Sequence, residues 1–141
     1  MPDAWTKEGE TPVHRLMCFA EMLIRNRDDI QRYGCPVGTL CGELSKLEHT
    51  ALGEATMLFT QFRRWLTKQF AQLGFENHAD ELAMHLLSRS QGIASLANAF
   101  QDEDFMRREV HLIEAWLMSL RAGAPPRRKK SASRVHEASR R

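Results

Sequence analysis

Apolar residues recur through most of this chain at spacings of three and four, the period of α-helices that bury one face. The first such stretch predicts a helix from about Pro12 to Arg32, with Val13, Leu16, Met17, Ala20, Leu23 and Ile24 on one side. Thr11 is a plausible N-cap, Pro12 suits the first helical position, and Tyr33-Gly34 ends the run. A turn over Gly34-Cys35-Pro36-Val37-Gly38 then leads to a short helix near Thr39 to Leu47, with Leu40, Leu44 and Leu47 inward. The third helix, Ala51 to Leu73, carries Leu52, Ala55, Phe59, Phe62, Leu66, Phe70 and Leu73 on one face and stops at Gly74. A fourth runs from Asn77, a good cap, to about Phe100, with Leu82, Leu86, Leu87, Ile93, Ala94 and Ala97 in one stripe. Its second half is rich in small residues, Gly92, Ala94, Ser95, Ala97 and Ala99, which would let another helix approach closely.

The fifth helix, Asp102 to Arg121, opens with Asp102, Glu103 and Asp104, whose charges complement the positive helix start. Its apolar residues form two groups: Met106, Val110, Ile113, Leu117 and Leu120 on one face, Phe105, Leu112 and Trp116 on another. One stripe suffices to dock a helix on its own core. A second predicts either a partner subunit, making the chain a homodimer, or a wide intramolecular core. The pattern as a whole predicts an all-α fold, a single domain of about five helices.

At 141 residues the chain has the usual length of one domain, and its 43% hydrophobic and 27% charged residues exclude wholesale disorder and fibrous repeats. The longest apolar run, Leu16 to Ile24, is broken by Glu21 and too short to cross a bilayer. The N-terminus lacks the basic and apolar regions of a secretory signal, so a cytoplasmic location without membrane contact is expected. Charge is unevenly spread. Residues 1–126 hold 13 Lys and Arg against 17 Asp and Glu, a net −4, while residues 127–141 hold 7 against 1, a net +6. From Gly123 onward the composition predicts a disordered basic tail. It either adds salt-sensitive, sequence-independent affinity for nucleic acid or simply solubilises the chain, and it has no aromatics with which to read bases.

No constellation of catalytic residues stands out. There is no phosphate-cradling glycine loop, no Gly-x-Ser-x-Gly elbow and no His-Glu-x-x-His pair, so no enzyme activity, cofactor or metal is expected. Of six scattered histidines only His78 and His85 are placed to share a helix face, at a spacing too long for two ligands on one metal. Cys18, Cys35 and Cys41 form an odd set without a Cys-x-x-Cys pair, which argues for reduced thiols. Cys35, at a turn entering a helix, is a candidate redox sensor if the helix start stabilises its thiolate; otherwise it is a small buried hydrophobe.

The stretch Tyr33-Gly34-Cys35-Pro36-Val37-Gly38-Thr39-Leu40-Cys41-Gly42-Glu43-Leu44 resembles a segment of the ligand-binding domains of TetR/AcrR-type transcriptional regulators. The elements after it fit in order: a long helix with Phe62, Arg64 and Trp65 ending in Leu73-Gly74, then Ala83 to Asn98 with Gly92 in its middle, then a closing helix. The likeness covers residues 11 to 121. It implies a C-terminal effector-binding and dimerisation domain over 11–122, whose last two helices pair with those of a second copy in a four-helix bundle. The surface expected to pair comprises Leu86, Ile93, Ala94, Ala97, Val110, Ile113, Trp116, Leu117 and Leu120. The effector pocket is expected among the first, third and fourth helices, lined by Met17, Phe59, Phe62 and Leu66 with polar help from His85 and Gln91, and suited to a small apolar or aromatic ligand.

The resemblance departs from the family in lacking the N-terminal helix-turn-helix head that reads DNA. Residues 1–10 resemble only the end of the connecting helix, or are disordered, and a fragment, a misassigned start and a natural truncation fit the sequence equally. DNA would then be reached through a missing head or weakly through the basic tail. The rival expectation is a stand-alone helical adaptor whose tail binds nucleic acid without sequence preference, in which case deleting residues 124–141 abolishes binding.

Overall fold

A computed structural model describes residues 11–46 and 50–124, with Leu40 described by its backbone alone. The expectations for residues 1–10, for Leu47 and for the basic tail beyond Ala124 lie outside the described residues. Every element within them is helical: α1 (Pro12–Arg25), α2 (Arg27–Tyr33), α3 (Pro36–Lys46), α4 (Leu52–Leu73), α5 (Ala79–Phe100) and α6 (Glu103–Gly123).

Six helices stand where the periodicity predicts five, because the first is divided at Asn26. The Asn26 amide Nδ2 donates to the Met22 carbonyl at 2.9 Å, and the Asn26 backbone turns to φ −102°, ψ 18°. The Asn26 backbone N–H shares the same carbonyl at 3.0 Å, and its own carbonyl accepts from the Ile30 amide at 3.0 Å. The ladder bonds therefore persist, and the division is one of backbone angle, of the kind that side chains bonding four residues back accompany. Beyond the break Asp28 and Asp29 occupy the first turn of α2, which suits a helix start.

Capping follows local chemistry. The Thr11 hydroxyl accepts from the His14 amide at 3.3 Å with Pro12 in the first turn, and the Asp102 carboxylate accepts from the Phe105 amide at 2.8 Å. Gly74 (φ 115°) closes α4: its N–H reaches the Ala71 carbonyl and that of Phe75 reaches Phe70, both at 3.1 Å, the double closure of a Schellman motif. Three boundaries differ from expectation. Helix α3 starts at Pro36, so Pro36-Val37-Gly38 is its first turn. Helix α5 is preceded by His78, which makes no side-chain cap bond, and Asn77 does not cap it. Helix α6 continues through Gly123, which the composition places in the tail.

Helices α1, α4, α5 and α6 form a ring of neighbours, α1 packing on α4 and α6, and α5 on those same two, while α2 lies against α5 and α3 against α4. Their inner faces meet in one core whose fully buried side chains include Leu16, Leu66, Phe70, Leu86, Met106, Ile113 and Leu117. Aromatic rings extend it, with Phe19 edge-on to Phe62 at 6.0 Å and Phe70 tilted against Trp116 at 6.0 Å.

Polar side chains tie the ring together. The buried Arg15 guanidinium of α1 donates to Gln69 Oε1 at 2.6 Å and Gln72 Oε1 at 2.9 Å on α4. Arg89 on α5 pairs with Glu109 on α6 at 3.1 Å, and Arg63 on α4 grips Asp80 on α5.

Candidate functional site

The six residues expected to line an effector pocket do not converge. Leu66 is wholly buried in the core, and Met17, Phe59 and Phe62 are half-buried, packing on its edge. Phe62 stands beside Phe19, and Phe19 lies 6.5 Å from Trp65, so α1 and α4 share an aromatic wall. His85 points elsewhere: it is exposed, with its ring 5.0 Å from that of Trp116 on α6. Gln91 lies against α3, where a Cβ on Gly38 would come within 2.7 Å of its Oε1. Six positions on a helix turn through roughly 240° beyond a full circle, which puts His85 and Gln91 on different flanks of α5.

The surface expected to pair is also used otherwise. Leu86, Ile93, Ala94, Ala97, Val110, Ile113 and Leu117 are each at most 4% exposed within a single chain, so they hold α5 and α6 on their own core. Trp116 and Leu120 pack partly buried at its edge. The stripe of Val110, Ile113 and Leu117 thus docks α6 on its own core, and of the second stripe Phe105 and Trp116 also pack partly buried on that core while Leu112 stands exposed on the opposite face.

That opposite face has a distinct character. On α5, Ser88, Gly92, Ser95 and Ala99 succeed one another at spacings of four, three and four and are all exposed; a Cβ on Gly92 would meet nothing within 4 Å. Leu96 (45% exposed) and Phe100 (72%) flank this strip on α5. On α6, Leu112 lies between Glu109 and Trp116, the two residues that reach across to Arg89 and His85, and is 54% exposed. The small residues of α5 mix two populations: Ala94 and Ala97 turn inward, Gly92, Ser95 and Ala99 outward. The four-three-four spacing from Ser88 is the signal in the sequence that separates them.

A groove of about 350 Å³ runs on the other side of α6, between it and α1. Glu21, Ile24 and Arg25 face Arg107, Val110, His111 and Glu114 across it, and none of the expected effector residues lines it. Its charges are largely committed locally, Arg25 to the Cys18 carbonyl, Arg107 to Glu103 and His111 to Glu114.

Cys35 is partly buried against the core, and Cys18 and Cys41 are partly buried too. Among the described residues, no three His, Cys, Asp or Glu side chains are grouped to hold a metal ion, and no helix is long and apolar enough to cross a membrane.

Comparison of the chain with protein-family models finds no match, and no curated protein matches it.

Proposed function

We propose that this chain is an effector-binding and dimerisation module of the kind found in TetR-like transcriptional regulators, pairing with a second copy of itself in the cytoplasm. The observation that carries the reading is the outer face of α5 and α6, where exposed Leu96, Phe100 and Leu112 border a strip of Ser88, Gly92, Ser95 and Ala99. Exposed apolar area concentrated on two antiparallel helices is costly in water and is relieved when a two-fold copy covers it. Small side chains between the apolar ones bring two helix axes together at the short end of the usual packing distance. The pairing residues in this reading are therefore these outer ones and not the inner stripe.

The effector is a small apolar or aromatic molecule that meets the aromatic wall of Phe19, Phe62 and Trp65 between α1 and α4. It acts by fitting one arrangement of these helices better than another, which biases the geometry of the pair. In a regulator with a DNA-reading head, that bias resets the spacing of two heads over successive major grooves. Sedimentation equilibrium on the wild-type chain and on Leu112→Glu tests the pairing. A dimer that the substitution converts to a folded monomer is expected, and a wild type that stays monomeric at high micromolar concentration sinks the reading.

A further inference from the structure

We propose that α2 and α3 form a flap hinged at Asn26 and held shut on α5 by a polar clasp centred on the Gln31 carbonyl. The two helices span residues 27–46, yet Ile30 is the one apolar side chain buried among their described residues, whereas α1 buries Val13, Leu16, Phe19, Ala20 and Leu23. Helix α2, with one buried apolar side chain in seven residues, is anchored thinly, and elements of that kind are the part of a fold that opens first.

Helix α3 rests on α4 and Cys35 on the edge of the core, while α2 is held by polar groups at the far end of α5. The Gln31 carbonyl accepts from Asn98 Nδ2 at 2.7 Å and from Gln101 Nε2 as well. Gln101 reaches it from a left-handed backbone, φ 53°, ψ 40°, a conformation that disfavours a side chain other than Asn, Asp or Gly. Beside this clasp, Arg27 pairs with Glu103 at 3.1 Å, and Glu103 also holds Arg107. Further along, Gly38 of α3 rests against Gln91. The hinge sits at the other end of α2, where the Asn26 backbone turns to φ −102°, ψ 18° and separates α2 from α1, although its N–H still reaches the Met22 carbonyl and its own carbonyl the Ile30 amide, both at 3.0 Å.

The flap covers one flank of α5. Leu87, Gln91, Ala94 and Asn98 succeed one another at four, three and four, and Leu87 and Ala94 are buried. When the clasp opens, Ile30, Leu87 and Ala94 line an apolar cleft that is closed in the shut state. The purpose of the opening, admission of an apolar effector to the interior, rests on the proposed function; the opening itself does not.

The test is the double variant Asn98→Ala/Gln101→Gly in the full chain. Alanine is at home inside a helix and glycine at a left-handed position, so both clasp donors are removed while α5 and its end keep their conformation. Hydrogen exchange monitored by mass spectrometry should show the amides of 28–46 exchanging about tenfold faster or more than in the wild type, with α1, α4 and α6 unchanged. The fluorescence of 8-anilinonaphthalene-1-sulfonate should rise several-fold as the cleft becomes accessible. Exchange in 28–46 that matches the wild type overturns the proposal, and so does an equal acceleration of every helix. A monomeric chain in sedimentation removes the functional reading and leaves the flap intact, so the two failures are told apart.

Discussion

Arg63 on α4 and Asp80 on α5 meet through two parallel hydrogen bonds, Nε to Oδ1 at 2.7 Å and Nη2 to Oδ2 at 2.6 Å, across the turn that joins their helices. This fork geometry is the strong form of a surface ion pair, and it fixes the register of the longest helical hairpin in the fold. The hydrogen bonds from Arg63, aided by its charge, hold the Asp80 carboxyl below its ordinary value of 3.8, and the same bonds raise the Arg63 guanidinium.

The sign of the resulting pH dependence is set by Asp80. A carboxyl with a depressed folded-state pKa adds stability above its unfolded pKa and loses it as pH falls through the folded value. Because both groups are solvent-exposed the effect is small. Asp80→Asn should lower Tm at pH 7 by no more than roughly a few degrees, and the difference from wild type should shrink as pH is taken below about 4. Thermal melts from neutral to strongly acidic pH check this; a gap that widens toward acid refutes it.

Asp102 caps α6 with a 2.8 Å bond to the Phe105 amide and leads directly into the helix that supplies half of the outer face. Asp102→Ala should cost about 1 kcal/mol in urea denaturation. Asp102→Ser, which can still cap, should recover most of it.

Phe70 is fully buried and its ring lies 6.0 Å from Trp116, so it joins α4 to α6 through the core. Phe70→Ala should destabilise the chain by about 3–5 kcal/mol, a large share of the roughly 5–15 kcal/mol of a typical domain. A loss below about 1 kcal/mol would mean that this ring is not held where the structure has it.

Gly92 separates folding from pairing. It is helical, without a positive φ, and a Cβ there meets nothing within the chain, so Gly92→Ala should stabilise the folded protomer by about 0.5–1 kcal/mol. If a second copy packs closely on this strip, the same methyl group should weaken self-association in sedimentation. Stabilisation with unchanged association would place the contact elsewhere.

Gln69 is 2% exposed and accepts the Arg15 Nε proton at 2.6 Å. Gln69→Leu keeps the volume and removes the acceptor, leaving a buried charged donor short of a bond. A loss of about 1–3 kcal/mol by chemical denaturation is expected, and Gln69→Glu should be tolerated far better because it restores an acceptor.

Helix type was legible in the sequence wherever a long apolar period ran uninterrupted, as in α4, whose Leu66, Phe70 and Gly74 fall where the pattern places them. The division at Asn26 was not, because it is a change of backbone angle at one residue, beside a side-chain bond to Met22, and hydrophobic spacing carries no record of either. The site was harder still. Periodicity identifies two stripes on α6 but cannot say which faces inward; burial in the common core makes Val110, Ile113 and Leu117 the inner one and leaves Leu112 outside. His85 and Gln91 look like neighbours in sequence, yet helix rotation sends one to Trp116 and the other to Gly38.

The break at Asn26 also sets the proportions of the molecule. Helices α4, α5 and α6, of 22, 22 and 21 residues, are each about 32 Å long, whereas α1, of 14 residues, reaches only about 21 Å. A rod continued straight through residue 32 would match the others in length and leave the far end of α5 bare on one side. Divided at Asn26, the chain instead lays the seven residues of α2 against α5, where the Gln31 carbonyl meets the Asn98 and Gln101 amides, so one residue decides which neighbour covers that end of the bundle.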